Sequence, residues 1–284
     1  MLKKGLLVAI TLLCAATAFA AKDKDSIQVK GSDTMVNLSQ SWAEKYTEEN
    51  PGNFVAVTGG GSGTGISALI SGTCDIANAS RTIKEKEIAL AKQRGTDPYE
   101  IKVGLDGLAV VVNPHNPVSK LTTQQLADIF TGRVTNWKEL GGEDRKIVVL
   151  SREVNSGTHV YFKEHVLRKS DPNGKEEFSS GALLLSSSQA IADEVAGNSD
   201  AIGYYGMGYT SAKQKSIAVA KDERSEYVIP AIENVLNGKY PISRPLFVYT
   251  NGSPTGSVKK FVDFILSKEG QDIVTATDFV PVKK

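Results

Sequence analysis

Cysteine is almost absent: Cys14 and Cys74 are the only two in 284 residues. Cys14 lies in an apolar N-terminal run, 6–14, that follows Lys3 and Lys4 and precedes Ala18-Phe19-Ala20. A charged start, an apolar middle and an A-x-A exit make 1–21 a secretory signal peptide. Leu13 precedes Cys14 where lipoprotein cleavage would need a small residue, so the A-x-A exit is the expected site. Export leaves Cys74 as the sole thiol, which excludes an internal disulfide and leaves stability to the core. No second long apolar run exists, so nothing after residue 21 reads as a membrane span. The three histidines, His115, His159 and His165, have no metal-site spacing with cysteine or carboxylates. Excess charge is lacking too: setting Lys3 and Lys4 aside from the 33 basic residues leaves 31 against 32 acidic ones. That balance excludes the broad basic footprint of a nucleic-acid binder.

Glycine, serine and threonine are plentiful, and they gather in three turns: Gly31-Ser32-Asp33-Thr34, the run Gly59-Gly60-Gly61-Ser62-Gly63-Thr64-Gly65, and Ser151-Arg152 with Ser156-Gly157-Thr158. Each turn follows a strand-like stretch and precedes a helix-like one. Residues 26–30 alternate polar and apolar, and Val36, Leu38, Trp42 and Tyr46 recur at helical spacing over 36–49. Asn50-Pro51-Gly52-Asn53 stops that helix; 54–57 reads as the next strand, Ile66, Leu69 and Ile70 mark a short helix ending near Gly72, and 75–79 reads as a third strand. This βαβα order predicts a parallel sheet with covered faces. Further on, 105–112, 147–150 and 201–205 read as strands, and 241–249 as extended. Helices are expected behind a Thr122 or Thr123 cap through Leu126, Ile129 and Phe130 to Gly132, at 160–169, from 186–188 through Val195, and at 258–266. More than 260 residues exceed the usual size of one core, so two lobes are expected. Lobe I comprises 22–104 and 241–284, lobe II comprises 105–240, and the two chain crossings form a hinge.

A strand-to-helix turn exposes the first helical N–H groups, and their summed dipoles favour an anion. Hydroxyls add donors without net charge, and Arg152 offers a planar fork for two oxygens of a tetrahedral anion. Three such turns brought into one crevice describe an oxyanion receptor. Other chemistries match less well: no Lys follows the glycine loop as in a P-loop, the glycines never take dinucleotide spacing, and no Ser stands in G-x-S-x-G. Ser156 beside His159 keeps a secreted Ser/His hydrolase open as an alternative, as is a receptor for sulfate or molybdate.

The chain resembles the PstS-like phosphate-binding proteins of ABC transporters, in the shorter form of that family. The resemblance is carried by the three turns, by Ser71-Gly72-Thr73-Cys74-Asp75-Ile76-Ala77 with Ser80-Arg81, by Leu121-Thr122 through Gln125-Leu126, Ile129-Phe130, Gly132, Asn136-Trp137 and Leu140-Gly141-Gly142, and by Tyr240-Pro241-Ile242 with Arg244-Pro245-Leu246. It implies an α/β, two-lobed type 2 periplasmic binding protein fold, each lobe a mixed sheet flanked by helices, with phosphate held in the interlobe cleft. The implied ligand residues are Asp33, Thr34, Ser62, Arg152, Ser156, Gly157 and Thr158, with Ser32 and Gly63 as neighbours. It also implies a periplasmic, monomeric, non-enzymatic receptor without cofactor, serving a membrane permease and its ATPase subunits. In the long form of the family a carboxylate stands where Arg81 stands here and accepts the phosphate's own proton. Asp33, where the long form has threonine, is expected to take over as that acceptor while Arg81 adds positive charge. The plainer alternatives are that Asp33 caps the following helix and that Arg81 pairs with an acidic neighbour.

Overall fold

A computed structural model describes residues 26–282; the expected signal peptide and Cys14 lie outside the described residues. The strands are β1 (Ser26–Gly31), β2 (Phe54–Thr58), β3 (Ile76–Ala79), β4 (Pro98–Val112), β5 (Lys120–Thr122), β6 (Val148–Arg152), β7 (Leu183–Leu185), β8 (Ala201–Gly206), β9 (Lys215–Ser216), β10 (Ala218–Ala220), β11 (Ser243–Asn251) and β12 (Val280–Pro281). The helices are α1 (Val36–Glu49), α2 (Ser62–Ile70), α3 (Glu85–Gln93), α4 (Thr123–Phe130), α5 (Gly157–Phe162), α6 (Ser188–Gly197), α7 (Ile232–Leu236), α8 (Gly256–Ile265) and α9 (Lys268–Ala276).

The main sheet runs β2-β1-β3-β11-β4-β8-β6-β7. β1, β2 and β3 are parallel, as their βαβ order requires, whereas β11 enters antiparallel to both β3 and β4, making the sheet mixed. β4 is the long strand that unites the two halves. Its residues up to Gly107 pair with β11, and from Leu108 onward it pairs with β8. The strand begins at Pro98, earlier than the expected Leu105, because its first residues are partly exposed and carry Glu100 and Lys102, which hide the strand pattern. The sheet is also less covered than expected at its β2 edge, where Phe54 is 63% exposed.

In α1 the predicted apolar face is buried: Leu38, Trp42 and Tyr46 pack inward, the Trp42 indole donates to Gly270 O at 2.7 Å, and Tyr46 meets Phe261 of α8 edge-on. On the other half, Phe130, Phe162 and Tyr204 cluster between α4, α5 and β8, Phe162 and Tyr204 stacked with ring centroids 3.9 Å apart and Phe130 edge-on to Tyr204. These large buried rings supply much of the apolar area that fixes α5 on its sheet.

α2 starts at Ser62, four residues before the expected Ile66, so half the glycine loop is helix. Glycine disfavours helix intrinsically, but packing decides here: a Cβ at Gly65 would lie 2.4 Å from Lys30 O, so only glycine lets α2 lie against β1. Helix formation after the third turn likewise begins early, at Gly157, and the stretch 163–167 continues it as a π-type turn.

Candidate functional site

The three Gly/Ser turns converge where the halves of the sheet meet. Gly31 sits at φ +142°, and a Cβ there would lie 2.2 Å from Asn78 O, so the first turn can form only with glycine. It delivers Asp33 and Thr34. Gly61, at φ +98°, ends the approach to α2 and delivers Ser62. Ser156 caps α5, its Oγ accepting from Thr158 N at 3.2 Å and from His159 N at 3.4 Å, which fixes Gly157 and Thr158 at the helix start.

Contacts across the junction are direct. The Thr34 and Thr158 hydroxyl oxygens are 2.8 Å apart. A Cβ at Gly157 would stand 2.3 Å from Ser62 Oγ and 2.7 Å from Ser80 Oγ, so those hydroxyls abut the Gly157 backbone. Ser62 Oγ also accepts from Ser80 N at 3.0 Å, and Ser32 Oγ donates to Ser80 Oγ at 2.9 Å. Ser32, Thr34, Ser62, Arg152, Ser156 and Thr158 are all buried.

Arg152 lies at the end of β6 with 1% exposure. Its fork donates to Leu185 O at 3.3 Å, Ser186 O at 2.8 Å and Ser188 Oγ at 2.9 Å, and its Nη1 stands 3.0 Å from Asp33 Oδ2. The same Asp33 oxygen accepts from Ser188 N at 2.7 Å. Asp33 therefore caps no helix of its own turn; it reaches across to the first residue of α6, and Tyr209 holds its carbonyl by donating at 2.8 Å. Burial pulls the Arg152 guanidinium below its ordinary value while Asp33 opposes that pull.

Gly63 and Arg81 each have partners within the protein. Gly63 N donates to Asn155 O at 3.0 Å, closing the glycine loop onto the third turn. Arg81 gives Nη1 and Nη2 to Glu87 at 2.8 and 2.7 Å, so its charge is matched by the acidic neighbour, while its buried Nε has no hydrogen-bond partner among the described residues. That pairing holds the Glu87 carboxyl below its ordinary value despite the opposing effect of burial. Arg152, Arg81 and a third arginine, Arg244, each face one carboxylate: Asp33, Glu87 and Asp106. The site is thus close to electroneutral. An anion there would be held by oriented hydroxyls and N–H groups in a dry junction, where each such bond is stronger than in water.

Three participants were missed from the sequence. Asn155 donates from Nδ2 to Gly60 O at 2.8 Å and to Thr64 Oγ1 at 3.2 Å, bridging the second and third turns. Ser188 stands at a fourth strand-to-helix turn, and the run Ser186-Ser187-Ser188 after an apolar strand was its signal. Arg244 is a lone charge in the apolar pattern of β11, which marks it as paired or functional.

The His159 ring makes no hydrogen bond to Ser156. Its Nδ1 faces Arg152 O at 2.8 Å and Ser151 Oγ at 3.3 Å, its ring lies against Phe178, and Ser156 Oγ meets only its backbone N–H. A carbonyl partner assigns the proton to Nδ1. Burial lowers the ring to about 4. A group whose folded value is depressed adds stability above its unfolded value, near 6.5, and that stability disappears as pH falls through about 4. Wild type is therefore expected to lose about 3 kcal/mol more than His159→Gln between pH 7 and pH 4, as read from urea midpoints at the two pH values.

The halves of a mixed sheet joined by β4 and β11, with Gly/Ser turns meeting between them, are the architecture of the type 2 periplasmic binding proteins, and residues 16–269 match the PBP superfamily domain. Within that class, the chain belongs to the PstS family of phosphate-binding proteins. It is 34% identical to the phosphate-binding protein PstS of Pseudomonas aeruginosa, over 98% of this chain and 95% of that protein. With PstS of Bacillus subtilis it shares 35% identity over 92% of this chain and 82% of the other. A solved structure from Clostridium perfringens, described as a phosphate ABC transporter substrate-binding protein with bound phosphate, superposes with a TM-score of 0.81 at 37% identity, covering 91% of this chain and all of that one. An ABC-type phosphate transport receptor from Vibrio cholerae gives 0.70 at 31% identity, over 90% and 99%.

Proposed function

We propose that this chain is the periplasmic substrate-binding component of an ABC transporter, capturing inorganic phosphate between two lobes for delivery to a membrane permease and its ATPase subunits. The observation that carries this reading is the meeting of Thr34 and Ser62 from one half of the sheet with Gly157 and Thr158 from the other, around the Asp33–Arg152 pair. Lobe I comprises 22–104 with 241–284 and lobe II comprises 105–240; the change of β4's partner at Gly107 and the start of β11 at Ser243 support those crossings. Phosphate contacting donors of both lobes favours the closed arrangement by its extra contacts there. The protein acts as a monomer, removes the ligand from water and returns it unchanged, with 1–21 directing export. No helix among the described residues is long and apolar enough to cross a membrane.

Asp33 provides the discrimination. Its Oδ2 is committed to Arg152 and Ser188 N, while Oδ1 lies on the Gly59 side. An ionised carboxylate accepts the proton of hydrogen phosphate and repels fully deprotonated sulfate. A buried donor left without its partner costs about 1–3 kcal/mol, so Asp33→Asn is expected to shrink the phosphate-over-sulfate preference roughly ten-fold or more. Competition titration of the variant against wild type checks this; an unchanged ratio removes Asp33 from the selectivity mechanism.

A melting panel with phosphate, arsenate, sulfate, nitrate and molybdate tests the reading as a whole. Ligand at one hundred times its dissociation constant adds about 2.7 kcal/mol, a rise of roughly 5 °C or more for a chain of this size. Phosphate and arsenate should give that rise. A rise with sulfate or molybdate alone would assign the site to another oxyanion.

A further inference from the structure

From the structure we infer that Arg244, held by Asp106, is a positioning residue for phosphate selection: it forces the Thr34–Thr158 hydroxyl pair to present a hydrogen-bond donor to the ligand. The inference rests on the phosphate-binding reading above and assigns a role to a residue outside the ligand set.

Arg244 and Asp106 are cross-strand neighbours on β11 and β4, at the point where β4 changes partner from β11 to β8. Both side chains are fully buried. Arg244 donates to Asp106 Oδ2 from Nε at 3.0 Å and from Nη2 at 2.8 Å, and Met207 N donates to Asp106 Oδ1 at 3.0 Å. The pair is therefore anchored to both strands that join the halves and to the turn after β8. Complete burial pushes the Asp106 carboxyl upward, and Arg244 opposes the push. Gly206 leaves the space for this cluster, since a Cβ there would lie 2.5 Å from Thr34 Cγ2 and 3.0 Å from both Asp106 oxygens.

The consequence for the ligand follows from counting hydrogens. Arg244 Nη2 also donates to Thr158 Oγ1 at 2.9 Å and to Thr34 Oγ1 at 3.4 Å, while those two oxygens are 2.8 Å apart. A guanidinium has no acceptor, and one of the two Nη2 hydrogens goes to Asp106, so the other is given to Thr158 Oγ1 with the longer Thr34 contact sharing it. One O–H is used between the two threonines, and the other has no protein acceptor left within this cluster; it can only donate outward. One charged group at the crossing thus sets the polarity of the hydroxyl pair that spans the two halves. Sequestered by Asp106, its charge adds little net field, so its effect is to orient donors rather than to attract anions of every kind. Arg244 Nη1 is buried with no hydrogen-bond partner among the described residues. A cation on a buried strand would otherwise be a costly way to hold a fold, because an ion pair of this burial seldom improves on apolar packing.

A double-mutant cycle on phosphate affinity tests this, using wild type, Thr158→Val, the charge-free pair Asp106→Asn with Arg244→Met, and the three changes together. Thr158→Val alone is expected to weaken phosphate binding roughly ten-fold, as is the charge-free pair. In the charge-free background, Thr158→Val should change affinity by less than about two-fold, because the hydroxyl has already lost its imposed direction. Fully additive penalties, or wild-type affinity in the charge-free protein, would overturn the inference. Arg244→Lys keeps a charge opposite Asp106 but loses the fork that joins Asp106 to the hydroxyl pair, so it should still melt cooperatively and bind phosphate roughly ten-fold more weakly. Should the charge-free protein fail to fold, this variant decides alone, and unchanged affinity in it rejects the role. Wild type that binds no phosphate at all would refute the receptor reading itself, and this inference with it.

Discussion

Gly157→Ala is expected to abolish phosphate-induced stabilisation while leaving the melting temperature of the ligand-free protein close to wild type. The added methyl would stand 2.3 Å from Ser62 Oγ, 2.7 Å from Ser80 Oγ and 3.0 Å from Ser62 Cβ. No rotamer of alanine relieves such contacts, because the Cβ position is set by the backbone. Ser62 cannot retreat easily: Ser80 N donates to its hydroxyl, and it begins α2, which is packed tightly on β1 through Gly65. Overpacking by a methyl costs about 1–3 kcal/mol where the surroundings cannot yield. Here the cost falls selectively on the closed arrangement, since the clash is between the two halves and vanishes if they part. Phosphate affinity should therefore fall roughly 100-fold or more, as the loss of donors from one half adds to the clash. Wild-type affinity in this variant would mean that the ligand is not held between Ser62 and Gly157.

Arg152→Met should have the second large effect, and its character should differ. Arg152 is buried and serves four partners: Leu185 O, Ser186 O, Ser188 Oγ and Asp33. Removing it strands the Asp33 carboxylate in a nearly dry junction and takes from Ser186 O the donor it has in Arg152, while Leu185 O keeps Glu153 N. Breaking a buried pair by deleting one partner costs about 3–5 kcal/mol. Arg152→Met is thus expected to lose both phosphate binding and a comparable amount of global stability, measured by urea unfolding. Arg152→Lys restores a charge but not the planar fork, so it should recover part of the stability and little of the binding. The contrast between the two positions is diagnostic: Gly157 controls approach of the halves, whereas Arg152 holds the β6, β7 and α6 ends together as well.

The local pattern made much of this architecture readable. The apolar positions of α1 recur at helical spacing, and Asn50-Pro51 terminates it, so that helix was visible residue for residue. The strand ends at Gly31, Thr58 and Arg152 were marked by Gly/Ser turns, and those turns are the ones that meet. Less visible were elements whose character depends on distant neighbours. α3 buries only Ala91, so it carries no apolar stripe to read. The start of β4 is half exposed and charged, and the first turn of α2 is glycine-rich helix stabilised by close approach to β1.

The candidate site divides in the same way. Hydroxyl and glycine positions could be inferred because turn chemistry is local. Partners of charged side chains could not, because an arginine's carboxylate lies wherever the fold brings one. Arg81 met Glu87 on the following helix, Asp33 met a helix start 155 residues away, and Arg244 met Asp106 across a strand pair. The plainer expectation for Arg81, an acidic neighbour, describes its contacts; the plainer expectation for Asp33, a local cap, does not.

The most direct test is calorimetric titration of residues 22–284 with inorganic phosphate, repeated in excess sulfate. A saturable one-to-one isotherm that sulfate leaves in place is the predicted result. Absence of any phosphate heat from a cooperatively folded protein that does bind sulfate or molybdate would contradict it.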